Sequence, residues 1–124
     1  MCDINTTTLV GRLARDPDVR ELASGTTLAK FTVAANVRYL TKDGQQREDV
    51  AYVPCALFGA PAKLARECKQ GEPVAVTGHL VSESWEKDGQ KHWRLGLKVR
   101  EVEFFHRLLA TNGQASAVED KAPF

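Results

Sequence analysis

Between Lys30 and Arg38 the chain alternates. Phe31, Val33, Ala35 and Val37 are apolar, and Lys30, Thr32, Asn36 and Arg38 stand between them. A period of two over this length belongs to a strand with one face in a core and the other in water. The pattern recurs. Val53, Cys55 and Leu57 alternate with Tyr52, Pro54, Ala56 and Phe58; Val74, Val76, Gly78 and Leu80 alternate next, then Trp93, Leu95, Leu97 and Val99. An opening run from Thr6 to Leu13 stops at Asp16-Pro17-Asp18, and the short continuation Val19-Arg20-Glu21-Leu22 runs into Ser24-Gly25; both stops are turn signals. After Val99 the apolar phase slips to Val102 and Phe104, which predicts a β-bulge near Arg100-Glu101. A polar stretch over 41–49, with Asp43-Gly44 inside it, predicts one long hairpin loop, and Asp88-Gly89 predicts the turn of another. Pro54 cannot donate to a ladder, so it must lie at an edge, at a bulge, or with its nitrogen turned away from a partner.

One segment breaks the period. Pro61 suits a first helical position and Gly71 the residue past a helix end, with Leu64, Ala65 and Cys68 as its apolar stripe. The order is three strands, one short helix, two strands. That is the order of the OB-fold, an all-β, five-stranded Greek-key barrel with its helix between strands three and four. The 124 residues suffice for one such core. Residues 1–110 are expected to form the barrel domain. Residues 111–124 lose apolar periodicity and read as a short flexible tail.

Charge narrows the function. Seventeen Lys and Arg against sixteen Asp and Glu leave a net +1, so the chain does not bind polyanions by bulk charge; a nucleic-acid site needs a local patch or stacking aromatics. No apolar run approaches the ~20 residues of a membrane helix, and the opening Met1-Cys2-Asp3-Ile4-Asn5 has no signal-peptide character. Cys2, Cys55 and Cys68 are odd in number and widely spaced, as suits reduced thiols in a cytoplasm. His79, His92 and His106 are scattered and share no metal-ligand spacing with a cysteine. Cys55 lies in an apolar phase, as a small buried hydrophobe does. Nucleophile-elbow and phosphate-loop motifs are missing, and the acidic residues occur singly or in loops. The expectation is a protein without catalytic residues, metal or cofactor.

The aromatics carry more. Phe31, Trp93 and Phe104 share phase with aliphatic core positions and are expected to pack inside. Tyr39 at a loop root, Tyr52 and Phe58 on the polar side of their strand, and Trp85 in the second long loop avoid that phase. Arg38 precedes Tyr39, and Lys87, Lys91 and Arg94 follow Trp85. Flat rings stack on unpaired bases of any sequence while Lys and Arg neutralise phosphates. The same residues also suit packing beneath a loop with the charges merely solvated, and the pattern alone leaves both readings open.

Several motifs in order resemble the bacterial single-stranded DNA-binding protein family. They are Leu9-Val10-Gly11-Arg12-Leu13 with Asp16-Pro17-Asp18-Val19-Arg20, then Ser24-Gly25, Phe31-Thr32-Val33-Ala34 and Leu57-Phe58-Gly59. Gly71-Glu72-Pro73-Val74-Ala75-Val76-Thr77-Gly78-His79-Leu80 and Ser84-Trp85-Glu86-Lys87-Asp88-Gly89-Gln90 complete the set, so that the resemblance spans residues 4–106. It implies sequence-tolerant binding of single-stranded DNA in replication, recombination and repair, in a cytoplasmic, nucleoid-associated homotetramer. Carried over by position, Tyr39, Tyr52, Phe58 and Trp85 are the stacking aromatics. Arg12, Arg20, Arg38, Lys87, Lys91 and Arg94 are the basic residues along the strand. Tyr39 and Tyr52 stand where the family often has tryptophan, and Val53-Pro54 replaces residues that are commonly polar there.

The family's acidic tip, ending in Pro-Phe, docks onto replication and repair enzymes. Here the end reads Val118-Glu119-Asp120-Lys121-Ala122-Pro123-Phe124, so Glu119, Asp120, Pro123 and Phe124 are the implied partner-binding residues, with Lys121 interrupting the acids. The weakened tip leaves room for a specialised plasmid or phage paralogue. A primosome-type OB protein is the alternative within the same fold, and the Pro-Phe end argues against it.

Overall fold

The computed structural model describes residues 2–106. Its strands are β1 (Thr7–Leu13), β2 (Asp18–Glu21), β3 (Thr27–Leu40), β4 (Gln46–Phe58), β5 (Pro73–Lys87) and β6 (Gln90–Phe104), with a 3-10 helix (Ala60–Glu67) between β4 and β5. β1 pairs antiparallel with β5, β5 with β6, and β4 with β3, while β4 and β6 join in parallel through Cys55↔Leu97 and Ala56↔Lys98. β3 returns to β1 at Arg12↔Ala34 and Leu13↔Val33, which closes the barrel. β2 continues beside the same strand, from Asp18↔Lys30 to Glu21↔Thr27. The Asp16-Pro17 turn thus splits one barrel strand into two, and the expected five-stranded closed barrel stands.

The core is the inward phase read from the sequence: Leu13, Phe31, Val33, Cys55, Leu57, Val74, Val76, Leu97, Val99 and Phe104. Phe31 and Phe104 meet edge to face at 5.5 Å between ring centres, a favoured aromatic arrangement. The bulge falls where the phase slips: Thr77 faces Glu101 and Gly78 faces Val99, leaving Arg100 as the extra residue. β6 approaches so closely there that a Cβ on Gly78 would collide with the carbonyl oxygen of Lys98. At Pro54 the strand is uninterrupted. Its partner Thr32 turns its carbonyl to Ala14 N–H at 2.8 Å, so the pair loses no bond to the missing donor. The nitrogen faces the side that β6 joins only from Cys55 onward.

Three expectations are corrected. The helix is 3-10, so its buried side recurs every three residues: Ala62 and Ala65 are buried, Cys68 just past the end is buried too, and Leu64 is left 46% exposed. The loop is shorter than the polar stretch 41–49, since β3 runs to Leu40 and β4 already begins at Gln46, so only residues 41–45 lie between the strands. Trp85 likewise lies in β5 and not in a loop. Asp88 and Gly89, at φ 54° and 77°, make a two-residue turn whose handedness matches strand twist. Two long β-ribbons therefore project from the barrel, β3–β4 and β5–β6. Beyond the core both faces of a ribbon meet water, so polar residues are stable there in strand geometry.

Candidate nucleic-acid interface

Opposed residues of a ladder share a face, so the register shows what the barrel presents outward. One cross-strand row runs Asp18, Lys30, Ala56, Lys98 and His79 over β2, β3, β4, β6 and β5. The neighbouring row carries Arg20, Leu28 and Phe58. Farther along the same face stand Tyr52 on β4, Arg94 on β6 and Trp85 on β5, with Glu83 opposite Arg94. Tyr52, Phe58 and Trp85 are 67%, 42% and 43% exposed. A groove of about 210 Å³ runs between Lys30, Thr32 and Pro54 on one side and Glu83 and Arg94 on the other.

Cations attend these rings. Lys98 Nζ lies 5.7 Å from the Phe58 ring centre, and the Arg94 guanidinium carbon 5.6 Å from that of Trp85. Both are within cation–π range. The His92 ring stacks against Trp85 at 5.7 Å and 22°, so the indole is held in place by its cross-strand neighbour.

The arginines are partnered. Arg94 donates to Glu83 at 2.8 Å, Arg38 to Glu48 at 2.9 Å, and Arg20 to Asp18 at 2.8 and 3.0 Å. The bond from Arg20 holds the Asp18 carboxyl below its ordinary value. Such exposed pairs are worth about 0–1 kcal/mol, so an incoming phosphate can take the arginine. Arg12 donates instead to the Gly71 carbonyl at 2.9 Å; it opposes Ala34, which opposes Tyr52, so it stands on the row of Tyr52 at the seam where β1 meets β3. Among the described residues Lys30, Lys87, Lys91 and Lys98 form no ion pair.

The face thus gathers Tyr52, Phe58, Trp85, Arg20, Arg38 and Arg94, with Arg12 at its β1 edge. Tyr39 is not on it. It pairs with Arg47 in the phase of Phe31 and Val33, past the end of the barrel, and points to the other side of its ribbon. Lys87 and Lys91 flank the tip of the second ribbon, opposite Gln90 and Glu86. Lys30 and Lys98 are additions to the face, and their polar phase within alternating strands was the available signal.

Trp93 is a correction: it stands 65% exposed, and Leu95 61%. Both hold the core phase of β6, but they lie on the projecting ribbon, where no core remains beneath them. The tail residues Glu119, Asp120, Pro123 and Phe124 lie outside the described residues, as does the end of the 1–110 domain.

Residues 4–105 match the Single-strand binding protein family. A single-stranded DNA-binding protein of Wolinella succinogenes is 36% identical over 88% of this chain and 68% of its own length. One from Aquifex aeolicus is 31% identical over 97% and 82%, and one from Deinococcus radiodurans 32% over 92% and 39%. Among solved structures, the Plasmodium falciparum SSB complex with ssDNA superposes with a TM-score of 0.75 at 19% identity, over 84% of this chain and 96% of that one; it attests the fold. A deletion mutant of the Thermus aquaticus single-stranded DNA binding protein gives 0.71 at 26% identity, over 82% and 50%.

Proposed function

We propose that this chain, which belongs to the single-strand binding protein family, binds single-stranded DNA with little base preference. The observation that carries this reading is the outer sheet face on which exposed rings stand beside cations, Phe58 with Lys98 and Trp85 with Arg94. Unpaired bases stack on Tyr52, Phe58 and Trp85. Lys30, Lys98 and the arginines Arg20, Arg38 and Arg94 neutralise phosphates, the arginines by exchanging their carboxylate partners. Tyr39, Lys87 and Lys91 extend the path along the ribbons, and Arg12, on the row of Tyr52, extends it at the barrel seam. Duplex bases are not free to stack, so discrimination follows from geometry. The action is binding, without a catalytic step or cofactor. Competition between poly-dT, mixed-sequence single strand and duplex tests it; equal affinity for duplex and single strand would sink the reading.

The family's place in replication, recombination and repair, and a cytoplasmic, nucleoid-associated setting, are part of the same proposal. So is assembly of several copies, with the homotetramer as the expected form. Among the described residues Thr7–Val10 of β1 pair only with β5, and Val10 is exposed; an open edge is a surface on which another chain can pair. Mass in solution checks this. Glu119, Asp120, Pro123 and Phe124 offer a tip to replication and repair enzymes. Deleting 119–124 should leave DNA affinity unchanged or slightly higher and abolish capture of those enzymes, whereas Lys121→Asp should strengthen it. Among the described residues no helix is long and apolar enough to cross a membrane.

A further inference from the structure

Resting on the single-strand reading, we infer a second nucleic-acid stacking station at Trp93 and Lys91, on the opposite face of the β5–β6 ribbon from Trp85. Trp85 pairs with His92 and Trp93 with Ser84, so the two indoles occupy successive rungs and project from opposite faces. Trp93 is 65% exposed, and Lys91 Nζ lies 5.7 Å from its ring centre.

This is the composition of the two ring–cation pairs on the outer face, Phe58 with Lys98 and Trp85 with Arg94. The buried rings Phe31 and Phe104 instead pack on each other. The surroundings favour a base over a protein side chain as occupant. Ser82 and Ser84 oppose Leu95 and Trp93 on that face, leaving the indole as a flat platform bordered by hydroxyls and an ammonium. A single strand leaving Trp85 rounds the ribbon tip, passes Lys87, and meets Lys91 and then Trp93. Glu86 opposes Lys91 without forming an ion pair, so the ammonium is available to a phosphate while the indole takes the base, and the stacking part of the hold is the part that salt does not screen.

The chain has two tryptophans, which makes the test direct. In Trp85→Phe, Trp93 is the sole tryptophan reporter, and the phenyl ring still stacks. Titration with poly-dT to saturation, judged by gel shift, should quench Trp93 emission and shield it from iodide. The quenching should persist as salt is raised while complex remains. Trp93→Ala should lose about five-fold or more in affinity for poly-dT with an unchanged melting temperature. Unchanged Trp93 emission at saturation overturns the station, and in Trp93→Phe a quenched Trp85 would then leave the outer-face reading standing. Emission that changes on dilution without DNA, and not on adding DNA, assigns the patch to a second copy of the chain and also overturns it. If the wild-type protein gives no gel shift, the single-strand reading itself fails.

Discussion

The ammonium of Lys98 lies 5.7 Å from the centre of the Phe58 ring, across the one place where β4 and β6 run in parallel. The two side chains offer different things to the same nucleotide: a platform for its base and a counter-charge for its phosphate. Their losses should therefore be separable. Phe58→Ala should weaken single-strand binding by ~1–3 kcal/mol at every salt concentration. Lys98→Ala should lower the slope of log affinity against log salt by about 0.7, the contribution of one phosphate contact to a single strand. Titrations at four or five salt concentrations measure both. Equal slopes for Lys98→Ala and wild type would remove Lys98 from the phosphate path.

Glu83 holds Arg94 at 2.8 Å beside the groove. The carboxylate occupies the donor that a phosphate would use and adds a like charge near it. Glu83→Gln should raise affinity at low salt by up to about five-fold, the upper end for an exposed pair, and the gain should shrink at high salt as screening sets in. Binding isotherms of the two proteins at low and high salt decide it. A loss of affinity would mean that Glu83 positions Arg94 and does not compete for it.

The same alternation that made the barrel legible also explains where the reading ended. Phe31, Val33, Cys55 and Leu97 are inward because their strands cross the core, and the bulge at Arg100 follows from the slipped phase. Trp93 has the identical phase on the same strand as Leu97, yet it is exposed. Period two records which side of a strand a residue faces, and says nothing of whether the barrel extends beneath it. Tyr39 illustrates the same limit on the other ribbon. Leu64 shows another: the apolar spacing of a short segment does not separate a 3.6 period from the three-residue period of a 3-10 helix. For the candidate site, Tyr52, Phe58 and Trp85 were readable as rings out of core phase. Their union with Lys30 and Lys98 was not, because it depends on the registers of β3 with β4 and of β4 with β6, the latter a parallel pairing that joins residues far apart in sequence.

Burial raises the thiol pKa of Cys55 to about 12 and that of Cys68 to about 11, with Glu72 and Glu67 adding to the latter. The thiolate is the reactive form, so both should resist alkylation in the folded protein at neutral pH, and Cys2, which is exposed, should react alone. Mass spectrometry after brief treatment with iodoacetamide should show one adduct in native protein and three after denaturation. Rapid labelling of Cys68 in native protein would mean that the 3-10 helix opens on the labelling timescale.

Glu72 ties the end of β6 to the base of the barrel. Its carboxylate accepts a bond from His106 Nδ1, with 2.8 and 3.1 Å to its two oxygens, and another from the Lys69 backbone N–H at 2.8 Å. Burial alone would push its pKa up. The bonds from His106 and Lys69, with the charges of both side chains, outweigh it and hold the group below its ordinary 4.5. A carboxylate depressed in the native state stabilises the fold above its unfolded pKa, and that stabilisation is lost as pH falls through the folded value. The melting temperature should therefore begin to fall near pH 4.5 and continue below it. Glu72→Gln keeps an acceptor oxygen for the Lys69 N–H but cannot be protonated. It should melt lower than wild type at neutral pH, and the two melting curves should converge as the pH is lowered. Melting scans from pH 7 to pH 3 on both proteins provide the comparison; curves that stay parallel across this window would show that Glu72 does not carry the acid sensitivity.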